Sequence, residues 1–258
     1  MQRWTRQTAF TDPGANAACL ETLSPAPEHA AKALQGLLIH GDALERYGIA
    51  PVQFNRETLP VGARLAAILE LDDRPLDIER PLQDRSLGTC RDYAVLMCAV
   101  MRQHGRAARV RCGFASYFPT AIWQDHWICE IWSDDGWQRV DAQLDSVTQA
   151  ALKVGFAPWD LPPEAYLTAD EAWRDCRAGE LDPDDLGHED ARGLWFVYVN
   201  LARDRLALAD RITSDWDGWR AVASAGFRLS EDMLVEADRL ASKNSAEPLS
   251  ISPWWPST

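Results

Sequence analysis

Three residues whose types and order suit nucleophilic catalysis stand in the middle of the 258-residue chain. Cys90 opens a helical pattern, His126 opens a strand pattern, and Asp141 lies near the end of the next strand pattern. A thiol nucleophile needs a base within hydrogen-bonding reach, and the base needs an acceptor that orients it. The three residues therefore predict a Cys-His-Asp triad, provided that the fold brings them together.

The two strands that carry His126 and Asp141 must meet in a particular register. A four-residue loop over residues 133–136 would pair Trp132 with Trp137. This register leaves His126 one diagonal step from Asp141 on the same face, about 7–8 Å apart at Cα, which a long side chain can span. A two-residue Asp-Gly loop would move the pair a further step apart, so the triad predicts the longer loop.

The start of a helix gives Cys90 a second advantage. Unpaired backbone N–H groups and the helix dipole stabilise an anion there and so favour the thiolate. The N–H of Cys90 is also a natural first donor to an oxyanion, and Gln83 is a candidate for the second donor. Asp92, two residues into the helix, suits the dipole or pairs with a nearby arginine.

Hydrophobic periodicity predicts the elements that would position these residues. The pattern from Cys90 to about His104 is helical, and Gly105 suits the end of that helix. Alternation with a period of two then predicts a strand over residues 108–114 and two further strands around an Asp- and Gly-rich turn. Those two strands are expected over 126–132 and 137–143, and other helices over 28–47, 61–71, 164–178, 193–211 and 230–243.

Composition narrows the class of protein. A formal net charge of −13 disfavours nucleic-acid partners, because such a surface repels phosphate. No apolar run approaches the roughly 20 residues of a membrane span, and the N-terminus lacks an apolar signal region, so we expect a cytoplasmic protein. The six cysteines form no C-x-x-C pair and do not cluster with histidines, so we expect no metal and no cofactor.

One domain over 1–258 is the expected organisation, with an N-terminal helical part (1–85), core motifs (86–143) and a C-terminal helical elaboration (144–258). We expect Cys98, Cys112 and Cys129 to be core thiols. Asn200, Arg203 and Asp204 follow an apolar helical run and suggest either a buried polar network or specificity contacts. The pair Trp254–Trp255 in the tail is expected to lie against the body.

Three ordered blocks of the sequence, "GTCRDYAVLMCAVMRQHGRAARVRCGF", "DHWICEIW" and "GWQRVDAQ", resemble the core of the transglutaminase-like superfamily. The resemblance spans roughly residues 86–143. The residues that carry it are Gly88, Cys90, Arg91, Asp92, Tyr93, Ala94, Gly105, Ala108, Arg109, Gly113, Phe114, His126, Glu130, Gly136, Trp137 and Asp141.

The resemblance implies an α+β fold with a papain/transglutaminase-like core, in which a cysteine at a helix N-terminus packs on an antiparallel sheet, plus extra helices. It also implies that Cys90 is the nucleophile, His126 the base and later the acid, and Asp141 the orienting residue. Five neighbours are candidates for substrate-binding or supporting roles, with structural roles left open: Arg91, Asp92, Trp127, Glu130 and Gln143.

Together these features predict a cysteine-dependent acyltransferase or amide hydrolase that works through a thioester. The substrate would be a small-molecule or peptide amide or ester. Water as the second nucleophile would give hydrolysis, whereas an amine acceptor would give a new amide. The alternative from another class is a non-catalytic binding module that keeps the same fold.

Overall fold

The structure, a computed structural model, describes residues 2–212, 220, 226–242 and 247–250. The α-helices described are α1 (Ala17–Glu21), α2 (Pro27–Leu37), α3 (Val61–Leu71), α4 (Cys90–Gln103), α5 (Ser146–Leu152), α6 (Ala169–Ala178), α7 (Leu194–Leu208) and α8 (Glu231–Ala241). The strands are β1 (Leu38–His40), β2 (Ser86–Gly88), β3 (Ala108–Ala115), β4 (Trp123–Ser133), β5 (Gly136–Val140), β6 (Tyr166–Thr168), β7 (Leu186–His188) and β8 (Ala191–Arg192). The fold is therefore mixed α+β, as predicted, with mostly antiparallel strand pairs.

The chain divides into two compact units. The first comprises Met1–Val110 and Trp127–Pro162, and the second comprises Arg111–His126 and Pro163–Thr258. The chain passes from one unit to the other within β3 and again within β4. The single-domain organisation expected over 1–258 stays a prediction.

In the first unit, α4 is a buried helix with defined ends. Every residue from Cys90 to Arg102 is buried, and the helix contacts α1, α2 and α3. Thr89 and Asp92 form a capping box that satisfies N–H groups at its start. Gly105 follows the helix with a φ of +72°, a left-handed conformation that glycine adopts without a steric penalty. The predicted helix and its glycine terminus are confirmed.

The hairpin of β4 and β5 has the predicted register. Trp132 lies opposite Trp137, and Ser133 pairs with Gly136 around the turn. The last pair of the ladder is Cys129 with Val140, so the chain leaves β5 directly before Asp141. β4 begins at Trp123, earlier than predicted, because its first residues pair with β7 in the second unit.

A helix predicted over 28–47 ends instead at Leu37. Leu38 has extended backbone angles, and β1 pairs in parallel with β2, the strand directly before the Thr89 cap. Leucines at helical spacing cannot reveal this pairing, because the partner strand lies 48 positions away in sequence. The segment continues as a 3-10 helix, Gly41–Tyr47, which ends at Gly48 with a φ of +71°.

The described residues of the second unit include most of β3, the strands β6, β7 and β8, and the helices α6, α7 and α8. Residues 166–168, predicted as helix, form β6 and pair with β3, so α6 begins only at Ala169. The approach of β6 requires Gly113, because a Cβ there would lie 2.1 Å from the carbonyl oxygen of Leu167. Helices α6, α7 and α8 enclose a core that includes Trp173, Phe196 and Tyr198.

The helices predicted over 61–71, 193–211 and 230–243 are present as α3, α7 and α8. The pair Trp254–Trp255 lies outside the described residues. Across the described ranges, no helix combines the length and apolar character needed to cross a membrane.

Candidate active site

Cys90 is the first residue of α4 in the first unit. Its side chain is buried, with 5 % of the residue exposed, and the thiol is free of any disulfide. The preceding strand β2 and the capping residue Thr89 set the direction from which the chain enters the helix. A thiol at this position lies beside the N–H groups of the first helical turn, which favour negative charge.

Asp92 is fixed from two sides in the first turn of α4. Its Oδ2 accepts hydrogen bonds from the backbone N–H of Thr89 at 2.8 Å and from the Thr89 hydroxyl at 3.1 Å. Its Oδ1 accepts a hydrogen bond of 2.6 Å from Nη2 of Arg64 on α3. Asp92 therefore both caps the helix and pairs with an arginine, the two roles that the sequence left open.

Arg91 is fully buried and lies against an aromatic ring. Its guanidinium carbon is 5.3 Å from the ring centroid of Trp127, which is itself 2 % exposed. A cation over an aromatic face is stabilised by the ring quadrupole, more so when water is excluded. The contact joins α4 to β4 in the first unit.

Asp141 begins a tightly hydrogen-bonded loop after β5. Its Oδ1 accepts the backbone N–H of Gln143 at 3.0 Å, and its own N–H donates to the carbonyl of Pro158 at 2.8 Å. Burial is the main reason that the pKa of Tyr93 in α4 is raised well above its usual value, and the charge of Asp141 is a smaller contribution. Asp141 therefore lies within electrostatic reach of the Tyr93 hydroxyl.

Gln143 is 5 % exposed and has one unsatisfied polar atom. Its side-chain oxygen Oε1 is buried and accepts no hydrogen bond from any of the described residues. A buried acceptor without a donor costs free energy, so such an atom is expected to meet water or a bound molecule. Gln143 is also held close to Asp141 by the backbone hydrogen bond.

His126 is the last residue of the 111–126 segment of the second unit and is 2 % exposed. Its ring lies edge-to-face with Tyr117 at 5.9 Å and with Phe118 at 5.1 Å between ring centroids. The Tyr166 hydroxyl is 3.2 Å from the backbone carbonyl oxygen of His126. These contacts restrict the ring and the strand that carries it.

Glu130 belongs to a buried ion pair in the first unit. Nε of Arg109 on β3 donates to its Oε2 at 2.6 Å, and Nε of Arg139 lies 3.8 Å from Oε1. The Arg109 guanidinium is also 4.0 Å from the ring centroid of Trp137. Glu130 therefore supports the sheet through Arg109, one of the two roles that the sequence left open.

The polar residues of α7 form the buried network that the sequence allowed. In the second unit, Asn200 Nδ2 and Arg203 Nη1 donate to the two carboxylate oxygens of Asp125 at 2.9 and 3.0 Å. Burial raises the pKa of Asp125, but Arg203 and the hydrogen bonds outweigh it, so the net shift is downward. Arg111 likewise donates two hydrogen bonds of 2.9 Å to Asp204.

The remaining thiols occupy different environments from that of Cys90. Cys98, Cys112 and Cys129 are fully buried, which confirms their assignment to the core. Burial is the main cause of a pKa of Cys129 far above its usual value. In the described ranges, no group of three or more His, Cys, Asp or Glu is arranged to hold a metal ion.

Arg64 is the residue near Cys90 that the sequence did not single out. It lies on the buried face of α3, three residues after Val61, one before Leu65 and four before Ile68. A charged residue on the apolar face of a short helix must have a buried partner, and this spacing was the available signal.

A comparison with protein-family models agrees with the three motifs. Residues 69–142 match the model of the transglutaminase core, described as the transglutaminase-like superfamily. The chain therefore carries a transglutaminase-like core over this segment, which includes Cys90, His126 and Asp141.

The chain is also similar to a crystal structure of "a Putative Cysteine Protease from Cytophaga hutchinsonii", at 20 % identity and a TM-score of 0.21. The match covers 54 % of this chain and 47 % of that one, so the chain matches about half of that protein's length. No curated protein sequence matches the chain.

Proposed function

We propose that the protein catalyses cysteine-dependent acyl transfer through a thioester, with Cys90, His126 and Asp141 as its triad. The observation that carries the proposal is the position of Cys90 as the first residue of a capped, buried helix inside the segment that matches the transglutaminase-like core. Asp141 supports it from the first unit, since its charge acts on Tyr93 in the same helix. His126 directly precedes Trp127, the residue at which the chain re-enters that unit.

In the first half-reaction, the Cys90 thiolate attacks the carbonyl carbon of an amide or ester. The backbone N–H of Cys90 donates to the oxyanion that forms, and protonated His126 gives its proton to the leaving amine or alcohol. Collapse of the tetrahedral intermediate breaks the bond to the leaving group and leaves a thioester on Cys90. Asp141 holds the imidazole in the required tautomer.

In the second half-reaction, neutral His126 takes a proton from the second nucleophile as it attacks the thioester. Water releases a carboxylic acid, whereas an amine acceptor releases a new amide. The Cys90 thiolate leaves in both cases. The substrate class is therefore a small-molecule or peptide amide or ester, with an amine as the possible acceptor.

The neighbouring residues divide into supporting and substrate-facing roles. Asp92 and Glu130 act as supports through their pairs with Arg64 and Arg109. Gln143 Oε1 is the acceptor proposed to bind an N–H group of the substrate, because it is buried and unsatisfied among the described residues.

Arg91 and Trp127 form the other side of the proposed substrate site. Their stacking holds both side chains at the start of α4. A buried cation beside Cys90 suits a substrate or intermediate that carries negative charge on oxygen.

Intact-mass spectrometry of the protein mixed with candidate amide and ester substrates tests the proposal. We expect a mass increase equal to the acyl group in the wild type and in Cys19→Ala, whose substituted thiol is remote in sequence and only partly buried. Cys90→Ala must lose the adduct. Product masses with and without added amines distinguish amide formation from hydrolysis.

A non-catalytic binding module is the alternative from another class. It predicts that ligands bind reversibly and that no acyl-enzyme forms with any substrate. An adduct that persists in Cys90→Ala would equally contradict the proposed mechanism.

A further inference from the structure

We infer that Arg64 is a positioning residue for Cys90, acting through Asp92 and the chain that leads into α4. The inference rests on the proposed function, in which Cys90 is the nucleophile. Arg64 lies on α3 and contacts residues on both sides of Cys90 in the sequence.

The guanidinium of Arg64 makes three hydrogen bonds. Nη1 donates to the Ser86 hydroxyl at 3.0 Å and to the backbone carbonyl of Leu87 at 2.9 Å, both in β2 before Cys90. Nη2 donates to Asp92 after Cys90 at 2.6 Å. The planar fork of an arginine can serve these separate acceptors at once, whereas the single ammonium of a lysine cannot match this geometry.

Asp92 connects Arg64 to the residue that caps α4. One of its oxygens is bonded to Arg64 and the other accepts both the N–H and the hydroxyl of Thr89, the residue directly before Cys90. The cap, β2 and the first turn of α4 are thereby tied to one guanidinium. Both side chains of the ion pair are buried, at 6 % and 1 % exposure, so water does little to weaken it.

The charges of Asp92 and Arg64 have opposite effects on the Cys90 thiolate. The Asp92 carboxylate lies two residues after Cys90 and would disfavour a second negative charge on the thiol. Arg64 offsets that charge, so the N–H groups of the helix start can stabilise the thiolate. The other charged or titratable groups around this end of α4 in the first unit are Arg91 on the helix, and Tyr47, Arg85, Asp141 and Asp145 around Tyr93. In the proposed function, His126 is the base that acts on Cys90.

The rate of iodoacetamide alkylation of Cys90 as a function of pH, read by peptide mass mapping, tests the inference. In Arg64→Gln, the Asp92 charge is left uncompensated, so we expect the apparent pKa of the Cys90 reaction to rise by about one unit. Removing the same charge in Arg64→Gln/Asp92→Asn should return the profile towards that of the wild type. A role confined to folding would not produce this recovery.

A matched control is Arg56→Gln, which removes an exposed arginine paired with Asp42 and changes the net charge by the same amount. This variant should leave the pH profile of Cys90 alkylation unchanged. Arg64→Lys keeps the positive charge but loses some of the hydrogen bonds of the guanidinium. We therefore expect a smaller shift in the apparent pKa of the Cys90 reaction than in Arg64→Gln.

Two results would overturn the inference. One is a folded Arg64→Gln protein with an unshifted profile, and the other is a shifted profile that the added Asp92→Asn leaves unchanged. If Arg64→Gln does not fold, Asp92→Asn alone decides, because loss of the anion must then lower the apparent pKa. A wild type in which Cys90 is not selectively alkylated would contradict the proposed function instead, before any variant is compared.

Discussion

Oδ1 of Asp141 accepts the backbone N–H of Gln143 across 3.0 Å. This bond turns the chain directly after β5 and fixes one oxygen of a carboxylate that is 1 % exposed. The proposed triad assigns the other oxygen, Oδ2, to the imidazole of His126. The loop geometry and the catalytic role thus depend on different atoms of one side chain, and substitution can separate them.

Asp141→Asn keeps an oxygen that can accept from Gln143 but removes the charge that stabilises a protonated His126. We expect kcat for an amide substrate to fall by about 10²- to 10⁴-fold with KM little changed, by analogy with other triads. Steady-state kinetics and a thermal melt measure the two effects separately. Full kcat in a folded Asp141→Asn protein would remove Asp141 from the mechanism.

Gln143→Leu removes the unsatisfied oxygen and keeps a side chain of similar size. Loss of one substrate hydrogen bond should raise KM by about tenfold for substrates with an N–H donor at that position. An ester analogue without the donor serves as the control, and its KM should not change. Equal effects on both substrates would mean that Gln143 acts on the fold and not on the substrate.

Substitutions of Arg109 and Glu130 should change the free energy of unfolding in a strongly non-additive way. Arg109→Met leaves the Glu130 carboxylate buried, with Arg139 at 3.8 Å, and should lower the free energy of unfolding by about 3–5 kcal/mol. Replacing both residues by Met and Leu should cost less than the two single changes added together. Urea denaturation of the four proteins measures the coupling, and simple additivity would show that the pair contributes little.

Protonation of Asp125 should account for part of the loss of folding stability at low pH. Its pKa in the folded protein is lowered, since Arg203 and Asn200 outweigh the effect of burial. The stability that this carboxylate contributes is therefore present above its pKa in the unfolded chain, near 3.8, and is lost as the pH falls through the lower folded value. The unfolding free energies of the wild type and Asp125→Asn should differ by the same amount at pH 7 and 5 and by less at pH 3. A constant difference across this range would contradict the assignment.

Local patterns were sufficient to predict the parts of the fold that carry the candidate site. The helix from Cys90 to Gln103 has a continuous apolar face and a terminal glycine, and the short Asp-rich turn defines the β4–β5 register. Both signals lie within a few residues of the structure they specify, so no knowledge of distant contacts is needed.

Features that depend on distant partners were not predictable. β1 forms at residues 38–40 because β2 lies beside it, although the leucines there continue a helical spacing. Arg109 and Arg111 alternate with apolar residues in β3, yet both faces of the strand are buried, because each arginine has a carboxylate partner far away in sequence. The spacing of Arg64 on α3 indicates a buried charge, but it cannot reveal the partner, because Asp92 lies on another helix.

Selective alkylation of Cys90 tests the central claim most directly. At pH 7, iodoacetamide should label Cys90 at least about tenfold faster than the core thiols Cys98, Cys112 and Cys129, because a helix N-terminus and a basic partner raise its thiolate fraction. Cys129, whose pKa burial raises, should stay unlabelled until the protein unfolds. His126→Ala should abolish the fast phase at Cys90. Labelling of Cys90 no faster than that of the core thiols, or a fast phase that survives in His126→Ala, would contradict a Cys-His nucleophile in this protein.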